Sequence, residues 1–187
     1  EPLESSQQRA QVVYRFHGMH ARLYEPGAAG GERELESEFQ AELLELRLDR
    51  LGYRALAGDT AAATELAQSP PPPPPPPAGP LSSLWSDRLL QALGLPDQSG
   101  SLLREVLMQG AVRIQTPELR LGCEQLEYKV YEGMTRLDQA DLLLPIGTGP
   151  NGWPLRMIAL EISELPDGSL EAREASISTC DAPDPHY

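Results

Sequence analysis

A few residues in this sequence have types and spacings that could do chemistry. Gly147-Thr148-Gly149-Pro150-Asn151-Gly152 has the G-x-G-x-x-G spacing that lets backbone amides approach a pyrophosphate. That fingerprint works only where the glycines open a helix. Pro150 and Trp153-Pro154 forbid one, so a wide hairpin loop is expected. His17 and His20 have H-x-x-H spacing, but on a regular strand residues three apart point to opposite faces. No further ligand lies near them in sequence, and no metal site is expected. Cys123 and Cys180, the two cysteines, would need an adjacent base and cations to act as nucleophiles. With three histidines in the chain, nothing marks one as that base. The two thiols are compatible with a disulfide and too few for a disulfide scaffold. The many carboxylates alternate with apolar residues, as outward solvated charges do. No constellation for hydrolysis emerges, and the expectation is a protein that is not an enzyme and carries no cofactor.

Charge and composition narrow the class further. With 15 Lys plus Arg against 28 Asp plus Glu, the formal net charge is −13, and no basic run is present to displace counterions from nucleic acid. The chain is 40% hydrophobic but only 5% aromatic, so its core must be built from Leu, Val, Ile and Ala. No stretch approaches the roughly 18 apolar residues of a membrane-spanning helix. The first residue is Glu1 and the last Tyr187, and the chain reads as a piece of something longer.

The positions of the elements follow from punctuation and periodicity. Pro70 to Pro77 form an unbroken proline run, expected to be a polyproline II rod of about 3.1 Å per residue. It is either a stiff spacer or a ligand for an aromatic groove. Beyond it, Ser82 or Ser83 can cap a short helix whose Leu84, Trp85, Arg88, Leu89, Ala92 and Leu93 recur at three- and four-residue steps, with Gly94 and Pro96 stopping it. A second short helix or a strand follows over Ser101 to Met108. Residues 65–105 are therefore expected to be an insertion of proline-rich linker and short helix, between first strands over 10–64 and a β region over 106–187.

The two flanking parts resemble each other. Sliding the chain by 82 residues lays Glu42, Leu44, Glu45, Arg54 and Asp59 on Glu124, Leu126, Glu127, Arg136 and Asp141. Phe16-His17-Gly18 precedes the first copy as Met108-Gln109-Gly110 precedes the second. A looser third copy starts at Leu160-Glu161-Ile162 and lays Asp167-Gly168 on Glu132-Gly133 and Ala175 on Ala140. Such repeats stack to bury a shared apolar face. The segment around Leu44 alone also fits a helix, but Val112-Arg113-Ile114, Leu119-Arg120-Leu121, Leu126-Glu127-Tyr128-Lys129-Val130 and Ile158-Ala159-Leu160-Glu161-Ile162 alternate with period two, as does Ala175-Ser176-Ile177-Ser178. Asp167-Gly168 and Glu132-Gly133 fit hairpin turns that require positive φ. The expected fold is mainly β and antiparallel.

At this level the residues resemble a family. Gly110-Ala-Val-Arg-Ile, then Glu118-Leu-Arg-Leu-Gly-Cys-Glu-Gln-Leu-Glu-Tyr128, looks like the repeat of OstA-like domains, "G-x-V-x-I, short turn, L-x-A-x-x-L-x-Y". Glu174-Ala-Ser-Ile-Ser-Thr-Cys180-Asp-Ala-Pro-Asp-Pro-His-Tyr187 is similar to the "A-x-x-T-T-C-x-x-x-x-P-x-W" segment of the LptD family of lipopolysaccharide-assembly outer-membrane proteins, with Tyr187 near the usual Trp. The likeness spans residues 106–187, and 12–62 only loosely. The proline run and the helix after it have no counterpart, and Gly122-Cys123 stands where the family has Ala-Asp or Ala-Glu.

The resemblance implies a periplasmic antiparallel β-jellyroll of the LptA/LptC/LptD superfamily, an open taco with a proline-rich and short-helical insertion. Such a domain carries lipopolysaccharide acyl chains through an apolar trough toward an outer-membrane barrel in the same longer chain. It also implies strand pairing with other OstA-like domains at the sheet edges. Alternation puts Leu126, Tyr128, Val130, Leu142, Leu144, Ile158, Leu160, Ile162 and Ile177 on the trough. The family's Thr-Cys cysteine can form a disulfide to the barrel, a role that would fall on Cys180; Cys123 is then a small buried hydrophobe or Cys180's partner. The alternative from another class is a proline-rich interaction adaptor on a β scaffold, with the sheet as mere support.

Overall fold

Alternating apolar and charged residues become seven strands: β1 (Gln11–Tyr24), β2 (Leu35–Asp49), β3 (Leu103–Thr116), β4 (Leu119–Lys129), β5 (Met134–Leu144), β6 (Leu155–Glu164) and β7 (Leu170–Ser178). They form a single antiparallel sheet in the order β1-β2-β3-β4-β5-β6-β7. The structure is a computed structural model, and it describes residues 11–24, 35–56, 58–68, 79–95, 102–144 and 154–179. The proline run, the 147–152 glycine motif, Cys180 and most of the Thr-Cys segment lie outside the described residues.

The mainly β, antiparallel expectation holds, including the strand around Leu44; of the two readings open for Ser101 to Met108 the structure has the strand, which begins at Leu103. Gly133 (φ 62°) and Gly168 (φ 80°) supply the positive φ expected of the β4–β5 and β6–β7 turns. The first region differs from the expectation. Residues beyond Asp49 are helical, with α1 (Arg50–Leu56) and α2 (Thr60–Gln68). Both starts carry a cap that the sequence displays: Asp49 Oδ1 accepts from Gly52 N at 3.1 Å and Asp59 Oδ1 from Ala62 N at 3.0 Å. The 82-residue repeat therefore holds for β2 against β4 and fails at Arg54 and Asp59. Those two form an ion pair beside α2, whereas Arg136 and Asp141 lie on β5.

A crease runs across all the strands. Gly18 (φ 62°), Gly110 (φ 73°), Ala111 (φ 45°), Gln139 (φ 54°) and Glu174 (φ 51°) take the left-handed conformation. The register puts them in one line: Gly18 is level with Glu42, Glu42 with Gly110 and Ala111, Gln139 with Leu160, and Leu160 with Glu174. At that line the series of inward residues advances by three instead of two. It passes from Phe16 to Met19, from Ala41 to Leu44, from Cys123 to Leu126, from Leu137 to Ala140 and from Ala159 to Ile162. Such irregularities bend strands and raise their twist, and here they bend the sheet around one core. At the bend Ala140, Ala159 and Ala175 form a row of small inner-face residues across β5 to β7, as the inside of a fold line requires.

The core consists of rows that run from strand to strand. Phe16, Leu44, Met108, Leu126, Leu137 and Ile162 form one row on one side of the crease. Ala21, Phe39, Ile114, Leu121, Leu142 and Met157 form another on the opposite side. Both rows belong to one buried cluster.

Candidate functional site

The inner face of the sheet is the candidate site, and the structure fills much of it with the chain itself. After Gly79 and Pro80, a 3-10 turn (Ser82–Leu84) leads into α3 (Ser86–Ala92). Leu81, Trp85, Leu89 and Leu90 of this segment are buried, with Trp85 and Leu89 at 0% exposure. The Trp85 ring meets Tyr128 edge to face, with centroids 5.6 Å apart. The periodic apolar positions thus form a helix as expected, ended by Gly94 at φ 66°, but Trp85 divides it into two short pieces.

The expected serine caps are absent. Ser82 Oγ instead donates to Gly79 O and Ser83 Oγ to Pro80 O. The amides at the start are satisfied by a distant carboxylate: Leu81 N donates to Glu164 Oε1 at 2.5 Å and Ser82 N to Glu164 Oε2 at 3.1 Å. Thr135 Oγ1, across the β5–β6 ladder, donates to the same Oε2 at 3.0 Å. Glu164 is fully buried, and these donors replace the hydrogen bonds its carboxyl group would make to water. Gly79 must be glycine here, since an added Cβ would run into the Glu164 carboxylate. At the other end, Arg88 donates to Glu36 at 3.2 Å and to Glu118 at 2.6 Å.

The expected trough residues divide into two groups. Leu126, Tyr128, Val130, Leu142 and Ile162 lie on the inner face and are buried, Leu144 is partly buried against the core, and Ile177 lies on the inner face at the edge strand, 61% exposed. Ile158 and Leu160 do not belong with them. Ile158 pairs with Asp141 and Ser176 on the outer face and is 40% exposed, and Leu160, level with the crease, is 39% exposed. Simple alternation put both residues in phase with Ile162, but the three-residue step at the crease makes Ala159 the inward neighbour. The same crease puts His17 and His20 on one face rather than two. Both are exposed, and His20 is bound to Glu38 Oε1 at 2.5 Å. Among the described residues, no group of three or more His, Cys, Asp or Glu is disposed to hold a metal.

Cys123 is a buried inner-face thiol. Burial, with Asp138 and Glu124 adding negative potential, raises its pKa to about 12, which disfavours the thiolate; its pairing with Cys180 lies outside the described residues. Burial likewise raises the Tyr128 phenol, partly offset by its hydrogen bond with Ser82. A groove of about 430 Å³ is lined by Gln40, Arg113, Arg120, Asp141 and Arg156 together with Ile114, Leu121 and Leu143, a surface of mixed charged and apolar character.

Sequence reasoning missed Glu164 and the residues that cover the inner face. The signal for Glu164 was an acidic residue in phase with Ile162, at a position where the pattern demands an apolar one. Comparison of the chain with protein-family models and with curated protein sequences gives no match.

Proposed function

We propose that this chain is a non-enzymatic lipid-handling domain that receives acyl chains of the lipopolysaccharide type on the inner face of its bent sheet. The observation that carries this reading is the set of continuous apolar rows, which end in the open at β7. There Ile177 is 61% exposed, although it pairs with Met157 of the inner face. Hydrocarbon is held by such rows without directional bonds, at about 0.8 kcal/mol per buried methylene. One row resembles the next, so cargo can slide along them. The bent sheet is then one wall of an open jellyroll. Among the described residues, its two terminal strands, β1 and β7, each have one neighbour in the sheet, and their outer edges are where partner strands of the same fold would pair. In this reading the domain works at the periplasmic face of an outer membrane, upstream of a barrel.

Photo-crosslinking tests the proposal. A benzophenone amino acid at Ile177, exposed on the inner face, is expected to capture lipopolysaccharide in cells, and the same probe at Ile158, exposed on the outer face, is not. Equal capture from both positions, or none from Ile177, would contradict the proposal.

A further inference from the structure

We propose that residues 79–95 are a displaceable self-inhibitory plug, competing with an acyl chain for the same inner face, so that loading requires the segment to leave. The inference rests on the acyl-chain reading above. Its first support is topological. β2 and β3 are hydrogen-bonded antiparallel neighbours from Glu38–Gln115 to Leu48–Leu103, so the chain between Asp49 and Leu103 is a long hairpin connection. Residues 79–95 contribute no strand to the sheet, and their departure leaves every ladder intact.

The second support is the small number of contacts that hold the segment. Among the described residues, its polar attachments to the sheet are the Glu164 carboxylate, which receives the amides of Leu81 and Ser82, the Tyr128 phenol, which bonds with Ser82, and Arg88, which reaches Glu36 and Glu118. Otherwise the contact is mainly apolar and therefore exchangeable. Leu81, Trp85, Leu89 and Leu90 cover apolar surface that an acyl chain of roughly a dozen methylenes would cover equally well.

The third support is an imperfect fit at the centre of the segment. Trp85 is 0% exposed, yet among the described residues its indole Nε1–H has no hydrogen-bond partner. A buried donor without an acceptor is destabilising, and release of the segment would return this one to water. A permanent core element would be expected to satisfy its largest polar side chain. An occupant that must give way has no such requirement.

The test uses the full chain and a dansylated undecanoic acid as probe, with three variants: Glu164→Gln, Arg88→Ala, and a chain whose residues 79–95 are replaced by a Gly-Ser stretch of equal length. A segment that occupies the site lowers the apparent affinity by the fraction of molecules left open. The two point variants are therefore expected to bind the probe about tenfold tighter than wild type or better. Saturating probe should also accelerate hydrogen exchange at the Leu81 and Ser82 amides in wild type, while β4 and β5 stay protected. Unchanged affinity in both point variants, with exchange over 79–95 unaffected by bound probe, would overturn the plug and leave the acyl-chain reading standing. Absence of binding by every variant, including a replaced chain that keeps its β circular-dichroism spectrum, would overturn the acyl-chain reading itself. If the replaced chain does not fold, the point variants and the exchange data still decide.

Discussion

At the scale of single residues, the crease is where sequence and backbone are most tightly coupled. Gly110 combines φ 73° with a Cα so close to the Glu42 carboxylate that an added Cβ would collide with it. Gly110→Ala is therefore expected to destabilise the fold by about 2 kcal/mol or more. Gly122 has open space around it and no positive φ, so Gly122→Ala should stay within about 0.5 kcal/mol of wild type. Ala111, at φ 45°, already bears left-handed strain, and Ala111→Gly should gain up to about 1 kcal/mol once glycine's extra chain entropy is deducted. Urea midpoints at constant m-value rank the three. A Gly110→Ala variant as stable as Gly122→Ala would mean that the strands do not bend there.

At the scale of elements, what could be read in advance depended on how local the cause was. Period-two alternation over Val112 to Val130 located β3 and β4, and Asp167-Gly168 located a turn, because strand faces and hairpin geometry are set by neighbours in sequence. The crease was not legible, because a three-residue step is invisible to a period-two template unless the small residues are noticed. Ala140, Ala159 and Ala175 are the trace it left, and missing it misassigned Ile158 and Leu160. The helix at Trp85 was legible as a helix, since Leu84, Trp85, Arg88, Leu89, Ala92 and Leu93 recur at three- and four-residue steps. That it lies on the inner face was not, because periodicity shows which residues share a stripe and not what covers it. α1 and α2 went unread although Asp49 and Asp59 cap them, because the Leu-rich strand before them masked the change of period. One substitution pair tests the element picture. Leu126→Ala, inward at 0% exposure, should cost about 2–5 kcal/mol, whereas Ile158→Ala, outward at 40%, should cost under about 0.5 kcal/mol. Comparable losses in thermal or urea unfolding would mean that both residues share a face.

At the scale of the whole molecule, two electrostatic effects oppose each other in acid. Glu45 is 5% exposed and receives Arg15 at 2.7 Å and Arg47 at 2.8 Å. The hydrogen bond from Arg15, followed by that from Arg47, holds its pKa below the ordinary carboxylate value. A pKa depressed on folding contributes stability above the unfolded value, near 4.3, and that stability is lost as pH falls through the folded value. Protonation also relieves the self-repulsion of a chain with net charge −13, so the overall melting temperature mixes both effects. The difference between wild type and Glu45→Gln isolates the first. It should favour wild type at neutral pH and shrink below about pH 4; a difference independent of pH would show that the Arg15–Glu45–Arg47 cluster is not formed.

The proposed lipid carriage and self-inhibition both depend on which residues the bent sheet turns inward, and thiol labelling along β6 reads that directly. Single cysteines at Ile158, Ala159, Leu160 and Ile162, each in a chain with Cys123 and Cys180 replaced by alanine, would be challenged with a water-soluble maleimide under native conditions. Rapid modification at 158 and 160 with protection at 159 and 162 is the predicted result. Protection at 158, 160 and 162 with modification at 159 would mean an unbroken strand with a different inner face, and would contradict the account.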